Sequence, residues 1–553
     1  MYTTKNYSNF LFIFAILIVF NVARAQAPSW EWAKNSIGSD FGGARCIATD
    51  TDGNTYSAGY FTTPTLTFYN LSISNLSTVS NDSDSYIAKH NVSGQIVWLI
   101  NVGGINEEQI FDIKTDSNNN IYVTGDFDSP TLTFGSTTLV NSGNQDVFLA
   151  KFDSNGTPLW AKSITGTKYD YGYALTVDSS NNVYVGGIFY SDTINISGIT
   201  LTNVEATSPS IDHDVFFAKF DSTGNILWAR SGGGTGYDEL TSMTTDGNGN
   251  LYVAGNFYSP AIAFGSTILN NTNNYGDIFI AKYNSVGNAL WSRKAGGTNY
   301  DTVRSIKADS VGNLYITGFF ESPTLTFGST TLTNAGSTNV FLTKYNTSGI
   351  VLWAKQAGNA QTNISHSLTI TADNHIFITG AFTSSITFGN LPSHTTQGSN
   401  DIFVCKYDNN GQALWSKTTG GTGFEMAMGI SCSQNNELSI TGYTSSVSTA
   451  FDSTTINTSG GSHFVAKMPG TALGVENFNN TTFSIFPNPV KNTLFISKKG
   501  SFVKEDYIIT DINGRIILKG NVTNSDSIDI SSLKRGFYYI SFSKSCTTKF
   551  IKE

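Results

Sequence analysis

Residues 277–293 read DIFIAKYNSVGNALWSR. An apolar run, a short turn centred on Ser285-Val286-Gly287 and a second run ending at a tryptophan are the marks of a strand hairpin. Seven versions of this stretch lie along the 553-residue chain. Their tryptophans are Trp32, Trp98, Trp160, Trp228, Trp291, Trp353 and Trp415, and the first version lacks its upstream half. The Trp-to-Trp steps are 66, 62, 68, 63, 62 and 62 residues. A fixed period of this size marks an array of similar units rather than one large core.

Each unit predicts four main strands. After Trp291 a glycine-rich loop, AGGTNYD, precedes a strand near residues 304–308. A turn at residues 309–313 leads to the strand LYITGFF, and Ser322-Pro323 breaks the chain. TLTFGSTTLTN reads as an extra strand or small hairpin, and strands at residues 339–345 and 350–355 complete the unit. The second strand carries a glycine in every copy: Gly59, Gly125, Gly187, Gly255, Gly318, Gly380 and Gly442. Such a glycine marks a bulge or the close approach of another backbone. The third strand carries an aromatic and, three residues later, a lysine, as in Phe279 and Lys282. The strands are nearly continuous apolar runs, so both faces should be covered. The expected fold is all-β: a seven-bladed β-propeller over residues 26–470, with an open solenoid as the alternative. Residues 30–34 form an orphan strand at the front, and residues 461–468 lack a tryptophan strand after them. The N-terminal strand should therefore close the seventh blade and remove exposed edges.

These units resemble the bacterial β-propeller repeat family called SBBP, through the pattern GxF-x-SP-TLTFGSTTL followed by DVFLAKYD-x-x-G-x-x-LWAK. The resemblance implies a secreted or surface propeller and no defined activity. Residues 221–228, DSTGNILW, also resemble the tryptophan-docking turn of quinoprotein dehydrogenase propellers. Those have eight blades and a dedicated cofactor site, and only the docking turn is matched here. No cofactor is expected, and packing alone accounts for the tryptophans.

Composition narrows the class. Charged residues are 13% of the chain, where about a quarter is usual. The net charge is -9 and no basic cluster stands out, which argues against nucleic acid as a partner. Cys46, Cys405, Cys432 and Cys546 follow no metal-ligand spacing. Residues 1–25 read as a signal peptide: Lys5, the apolar run FLFIFAILIVF and Ala23-Arg24-Ala25. Eleven apolar residues are too few to span a bilayer, which needs about twenty. No transmembrane segment is expected in the mature chain.

Candidate site residues come from the loop that opens each unit. Eight residues before the turn Asp of five units stand Gly42, Glu108, Asp170, Asp238 and Asp301; Glu425 matches in the seventh unit and Asn363 in the sixth. Tyr169, Tyr237, Tyr300 and Phe424 precede an acid. On a propeller this connection lies near the channel mouth. Glu108, Asp170, Asp238, Asp301 and Glu425, with Tyr169, Tyr237 and Tyr300, are therefore the expected binding collar, for a cation or for a sugar. The competing reading is a turn acid tied to its own backbone. SGGGTG at residues 231–236 reads as a blade connection rather than a phosphate loop, because no helix follows. Asp50 to Asn54 lacks the rest of a calcium loop. The repeated lysines should pair with Asp84, Asp146, Asp214, Asp277 and Asp401. The six histidines share no repeat position, and no catalytic motif occurs. The break at residues 191–213 reads as a polar surface loop.

After residue 470 the period stops. Residues 471–480 read as a linker, and residues 481–553 show about seven short strands, the pattern of a small β-sandwich. This region resembles the type A sorting domain of the type IX secretion system, through Pro487, Asn488 and Pro489, then Asp511 and Gly514, then Gly536 and Tyr538, and finally Lys549. The resemblance implies the type IX machinery as partner and the outer-membrane surface or extracellular space of a Gram-negative bacterium as destination. Two functions follow as expectations: a non-enzymatic binding module for a glycan or a surface protein, or an extracellular polysaccharide hydrolase or lyase. A passive structural role is the third.

Overall fold

The computed structural model describes residues 26–553 apart from 39–42, 80, 206–211, 272–274, 360, 459, 470–482, 499–504, 512–514, 523–526 and 543–545. The signal segment, the linker, Gly42 and Gly514 therefore lie outside the described residues. The chain divides into two compact units, Met1–Ala472 and Leu473–Glu553. Among the described residues every regular element is a strand.

In the first unit the repeat folds as expected. Ala44–Thr49, Thr55–Phe61, Asp84–His90 and Ile96–Val102 form an antiparallel sheet in chain order. The same order recurs in sheets that begin at Glu108, Asp170, Asp238, Asp301 and Asn363. One more sheet joins Glu425–Cys432, Leu438–Thr444 and Ser462–Met468 to the N-terminal strand Trp32–Ile37. There Trp32 pairs with Lys467 and Asn35 with Phe464. The first strand of each sheet touches that of the next, and Glu425–Cys432 touches Ala44–Thr49. Every third strand is buried along its whole length, as in Asp277–Tyr283. The extra segment of each repeat is a four-residue hairpin in most sheets, such as Thr131–Phe134 with Thr137–Val140.

The strand glycine has a local cause and a distant effect. Opposite each one the inner strand bulges, for example between Ile110 and Asp112 opposite Gly125. A Cβ on Gly125 would overlap the Gln109 carbonyl oxygen. The extra residue at a bulge is re-aimed. Here it is Arg45, Phe111, Tyr173, Thr241, Arg304, His366 or Met428, and all seven line one central cavity.

The tryptophans bind sheets to one another. Trp228 Nε1 donates to the Ser285 carbonyl of the next sheet at 3.1 Å. Its ring covers Gly287, whose φ is +82°. Trp32, Trp98, Trp160, Trp291 and Trp353 make the same bond. Trp98, Trp160, Trp291 and Trp353 stay partly exposed, so cross-sheet stacking adds to the burial inferred from sequence. Gly287→Ala places a Cβ 2.9 Å from the Trp228 ring on backbone that disfavours any side chain. It should cost about 2 kcal/mol or more, read as a lowered midpoint in chemical denaturation.

The lysine pairing differs from expectation. Lys151, Lys219 and Lys282 meet the turn acids Asp116, Asp178 and Asp246 at 3.4, 3.1 and 3.8 Å. Each also lies over a tyrosine, as Lys219 does over Tyr184 at 4.8 Å. Asp146 stands five residues from Lys151 on one strand, about 17 Å away, too far to pair. Of the expected acids, Asp277 does pair, but with Lys294 on the adjoining strand at 2.9 Å.

Candidate functional site

The expected collar carboxylates are turned into the protein rather than toward solvent. Glu108, Asp170, Asp238, Asp301 and Glu425 each begin an inner strand and are buried. Ser191, Ser259 and Ser322 hydroxyls donate to Asp170, Asp238 and Asp301 at 2.8 Å. Gly104 and Gly421 amides donate to Glu108 and Glu425 at 2.6 and 2.7 Å. The acids are occupied with holding the loop between sheets, close to the turn-acid alternative. The physical reason is that the loop is glycine-rich: its amides would otherwise be buried without acceptors.

A second acid, at the start of the third strand of the preceding sheet, stands before five of these loops. Gly166 N donates to Asp146 at 2.9 Å, four residues before Asp170. Asp84, Asp214, Asp277 and Asp401 hold the equivalent place before Glu108, Asp238, Asp301 and Glu425. Where the inner strand begins with Asn363, the preceding partner is Asn339, so both acids are replaced together. Burial, reinforced by the neighbouring carboxylate, pushes Glu108 and Asp170 up to about 7 and Asp301 to about 6. Asp214 is likewise raised to about 7, and Asp238 is pushed well above the usual range.

The tyrosines fare differently. Tyr169, Tyr237 and Tyr300 are 47%, 38% and 45% exposed. Two of them belong to an arc of ring contacts that runs across several sheets. Phe111 meets Tyr173 edge-on at 5.0 Å, and Tyr173 stacks on Tyr171 at 5.7 Å. Tyr171 meets Tyr190, which packs on His213 at 4.5 Å. His213, Tyr237, Tyr258, Tyr300 and Tyr275 continue it, with centroids 5.0–6.5 Å apart. At the other end Arg45 lies over Phe111 and Tyr60 at 5.5 and 5.2 Å.

The arc adjoins the central cavity, about 240 Å³ in volume and lined by all seven inner strands. Arg45, Lys114, Arg304, Lys307 and Asp112 are its charged residues. Sequence reading missed this site because the bulge residue is not constant: only arginine occurs at it more than once. The available signal was the strand glycine, which marks the opposite residue as aimed inward. Among the described residues no group of three or more His, Cys, Asp or Glu side chains is arranged to hold a metal. Asp50 uses its oxygens on the amides of Asp52 and Asn54, and on Asn54 and Tyr56, as a turn acid does. Cys46, Cys405 and Cys432 are free. Of the break at 191–213, Thr193–Ile196 and Ile199–Thr202 form the usual hairpin, so less of it is insertion than the sequence suggests.

In the second unit a three-stranded and a four-stranded sheet share one core, including Leu494, Ile496, Ile528, Ile509 and Ile540. The sorting-motif residues converge. Asn488 donates to the Lys549 carbonyl at 3.2 Å and accepts from Ile551 N at 2.8 Å, between Pro487 and Pro489. Tyr538 donates to Lys534 O at 3.0 Å, and Lys549 covers Phe537 at 4.2 Å. Asp511 accepts from Arg515 N at 3.0 Å, and Gly536 opens the strand that holds Tyr538.

Comparison with known proteins agrees with both units. Residues 290–318 match the family described as beta-propeller repeat, SBBP. Residues 484–553 match the family described as secretion system C-terminal sorting domain. The chain thus carries an SBBP propeller repeat and a type IX sorting domain, and the sorting domain implies export to the surface or beyond. An uncharacterized WD repeat-containing protein, L264, of Acanthamoeba polyphaga mimivirus is 24% identical over 64% of this chain and 32% of its own length. Regulatory protein FlaEY of Caulobacter vibrioides is 30% identical over 30% of this chain and 17% of its own. The chain spans a third or less of these relatives. Among solved structures, Sqt1 from Chaetomium thermophilum covers 80% of this chain and 100% of its own at 9% identity and TM-score 0.38. Puromycin hydrolase covers 76% and 61% at 9% identity and TM-score 0.31.

Proposed function

We propose that this chain is an exported binding module whose residues 26–470 form a closed seven-bladed propeller that holds a glycan across the tyrosine arc. Residues 471–480 link it to the sorting domain at 481–553, which the type IX machinery reads before delivery to the outer-membrane surface or the medium. The observation that carries the reading is the unbroken run of rings from Phe111 to Tyr275, with Tyr237 and Tyr300 open to solvent. Rings that are apolar on the face and polar at the hydroxyl suit the mixed surface of a sugar. A glycan is favoured over a protein ligand because the rings follow one another in single file rather than forming a broad apolar face.

The test is binding of the full chain to a polysaccharide panel, with Tyr237→Ala and Tyr300→Ala beside it. Each variant should weaken binding about tenfold, near 1.4 kcal/mol, with an unchanged melting temperature. Equal binding by wild type and both variants refutes the arc. Shortening of a bound polysaccharide would establish the hydrolase or lyase alternative instead.

A further inference from the structure

We infer that the central cavity is an anion site, and, resting on the glycan reading above, that the bound glycan carries carboxylate or sulfate groups. The cavity presents four cations and one carboxylate in a chain whose net charge is -9. Lys114 is paired with Asp112. Among the described residues, Arg45, Arg304 and Lys307 have no carboxylate within ion-pair distance, and Lys307 has no hydrogen-bond acceptor. Arg45 lies over Tyr60 and Phe111, and Arg304 over Phe319 at 5.4 Å. The rings hold both guanidinium groups in place without neutralising them. Arg45 Nε and His366 Nε2 are buried with no partner.

Nothing in the fold demands these charges. Arg45 and Arg304 occupy the bulge position that Phe111, Tyr173, Thr241 and Met428 fill elsewhere. Arg304 is exposed and Arg45 and Lys307 are half-buried, so these like charges share one solvent-open cavity that an anion can enter, and its charge would reduce their mutual repulsion. The groups feel one another: burial lowers His366 to about 3, helped by Arg304 and Arg45. Burial, then Lys114, lowers Lys307 to about 8, and Asp112 and Cys432 act the other way. Glu239 faces Arg304 and offsets part of its charge. Two planar forks suit the oxygens of carboxylate or sulfate. The cavity, about 240 Å³, has room for a sulfate or the acidic end of a sugar.

The probes are sodium sulfate and galacturonate, titrated into the full chain at constant ionic strength and followed by calorimetry. Wild type should bind both. Arg304→Gln and Lys307→Met should each weaken binding tenfold or more, and Arg304→Lys, which keeps the charge but loses the fork, should weaken it less. Binding should fall between pH 7 and pH 9 in wild type as Lys307 loses its proton, and stay flat in Lys307→Met. Sulfate stabilises proteins in general, so equal responses in wild type and both variants overturn the inference. Melting curves without anion check folding; should Arg304→Gln fail to fold, Arg304→Lys and Lys307→Met decide. Tyr237→Ala should leave sulfate binding intact. Sulfate binding without any polysaccharide binding refutes the glycan reading alone, whereas neutral polysaccharide binding without a sulfate response refutes the anion site alone.

Discussion

A chain lacking residues 26–37 should melt on the order of 10 °C lower and aggregate on heating. Those residues supply the fourth strand of the sheet otherwise built from residues 425–468. Their loss removes Trp30 and Trp32, both buried. Each ring takes about 150–250 Å² out of water, at most about 4–6 kcal/mol. It also removes the bonds from Trp30 N to Asp452 at 2.9 Å and from Trp30 Nε1 to Thr419 at 3.0 Å. The strand Ser462–Met468 is left with an open edge. Calorimetry of the truncated chain reads the loss, and a peptide of residues 26–37 added in trans should recover part of it. An unchanged melting temperature would show that the N-terminal strand does not complete the ring.

The stability of the first unit should fall as pH rises from about 5 to about 8. Glu108, Asp170, Asp214 and Asp301 hold their protons to about 6 or 7 in the fold and to about 4 when unfolded. Between those values the folded state binds more protons, so raising pH favours unfolding. Below pH 4 the groups are protonated in both states, and above about 7 the full penalty is present. Each contributes on the order of a few kcal/mol across that window. Asp146→Asn with Asp170→Asn should flatten the profile and raise the midpoint at pH 8, measured by urea denaturation. The Asn339 and Asn363 loop shows the fold accepts this pair: Asn363 donates to Thr338 O and Gln361 O at 3.2 and 2.9 Å. A profile that rises from pH 5 to 8 would mean that the loop amides hold these acids ionised.

The repeat was legible because packing imposes it. An aromatic and a lysine on each third strand, and a glycine on each second strand, do the same task in every sheet. The period also located the inner-strand acids, since Glu108 and its counterparts occupy equivalent places. What it could not convey was their direction. An acid beside a glycine loop reads alike whether it faces a ligand or the amides of that loop. The cavity residues were hidden for the opposite reason. Arg45, Arg304 and His366 occupy an inner-strand position that the repeats do not hold constant, so a search for shared features passes over them. The lysine partners were misjudged because the turn acids, which Lys151, Lys219 and Lys282 in fact meet, were read as serving the turn alone.

Asn488 lies between two prolines near the start of the sorting domain and is held by the backbone of Lys549 and Ile551 near its end. The first part of the address is therefore shaped only after the last part has been made. Ending the chain before residue 549 would leave Asn488 without either of these backbone partners while removing no residue of the first unit.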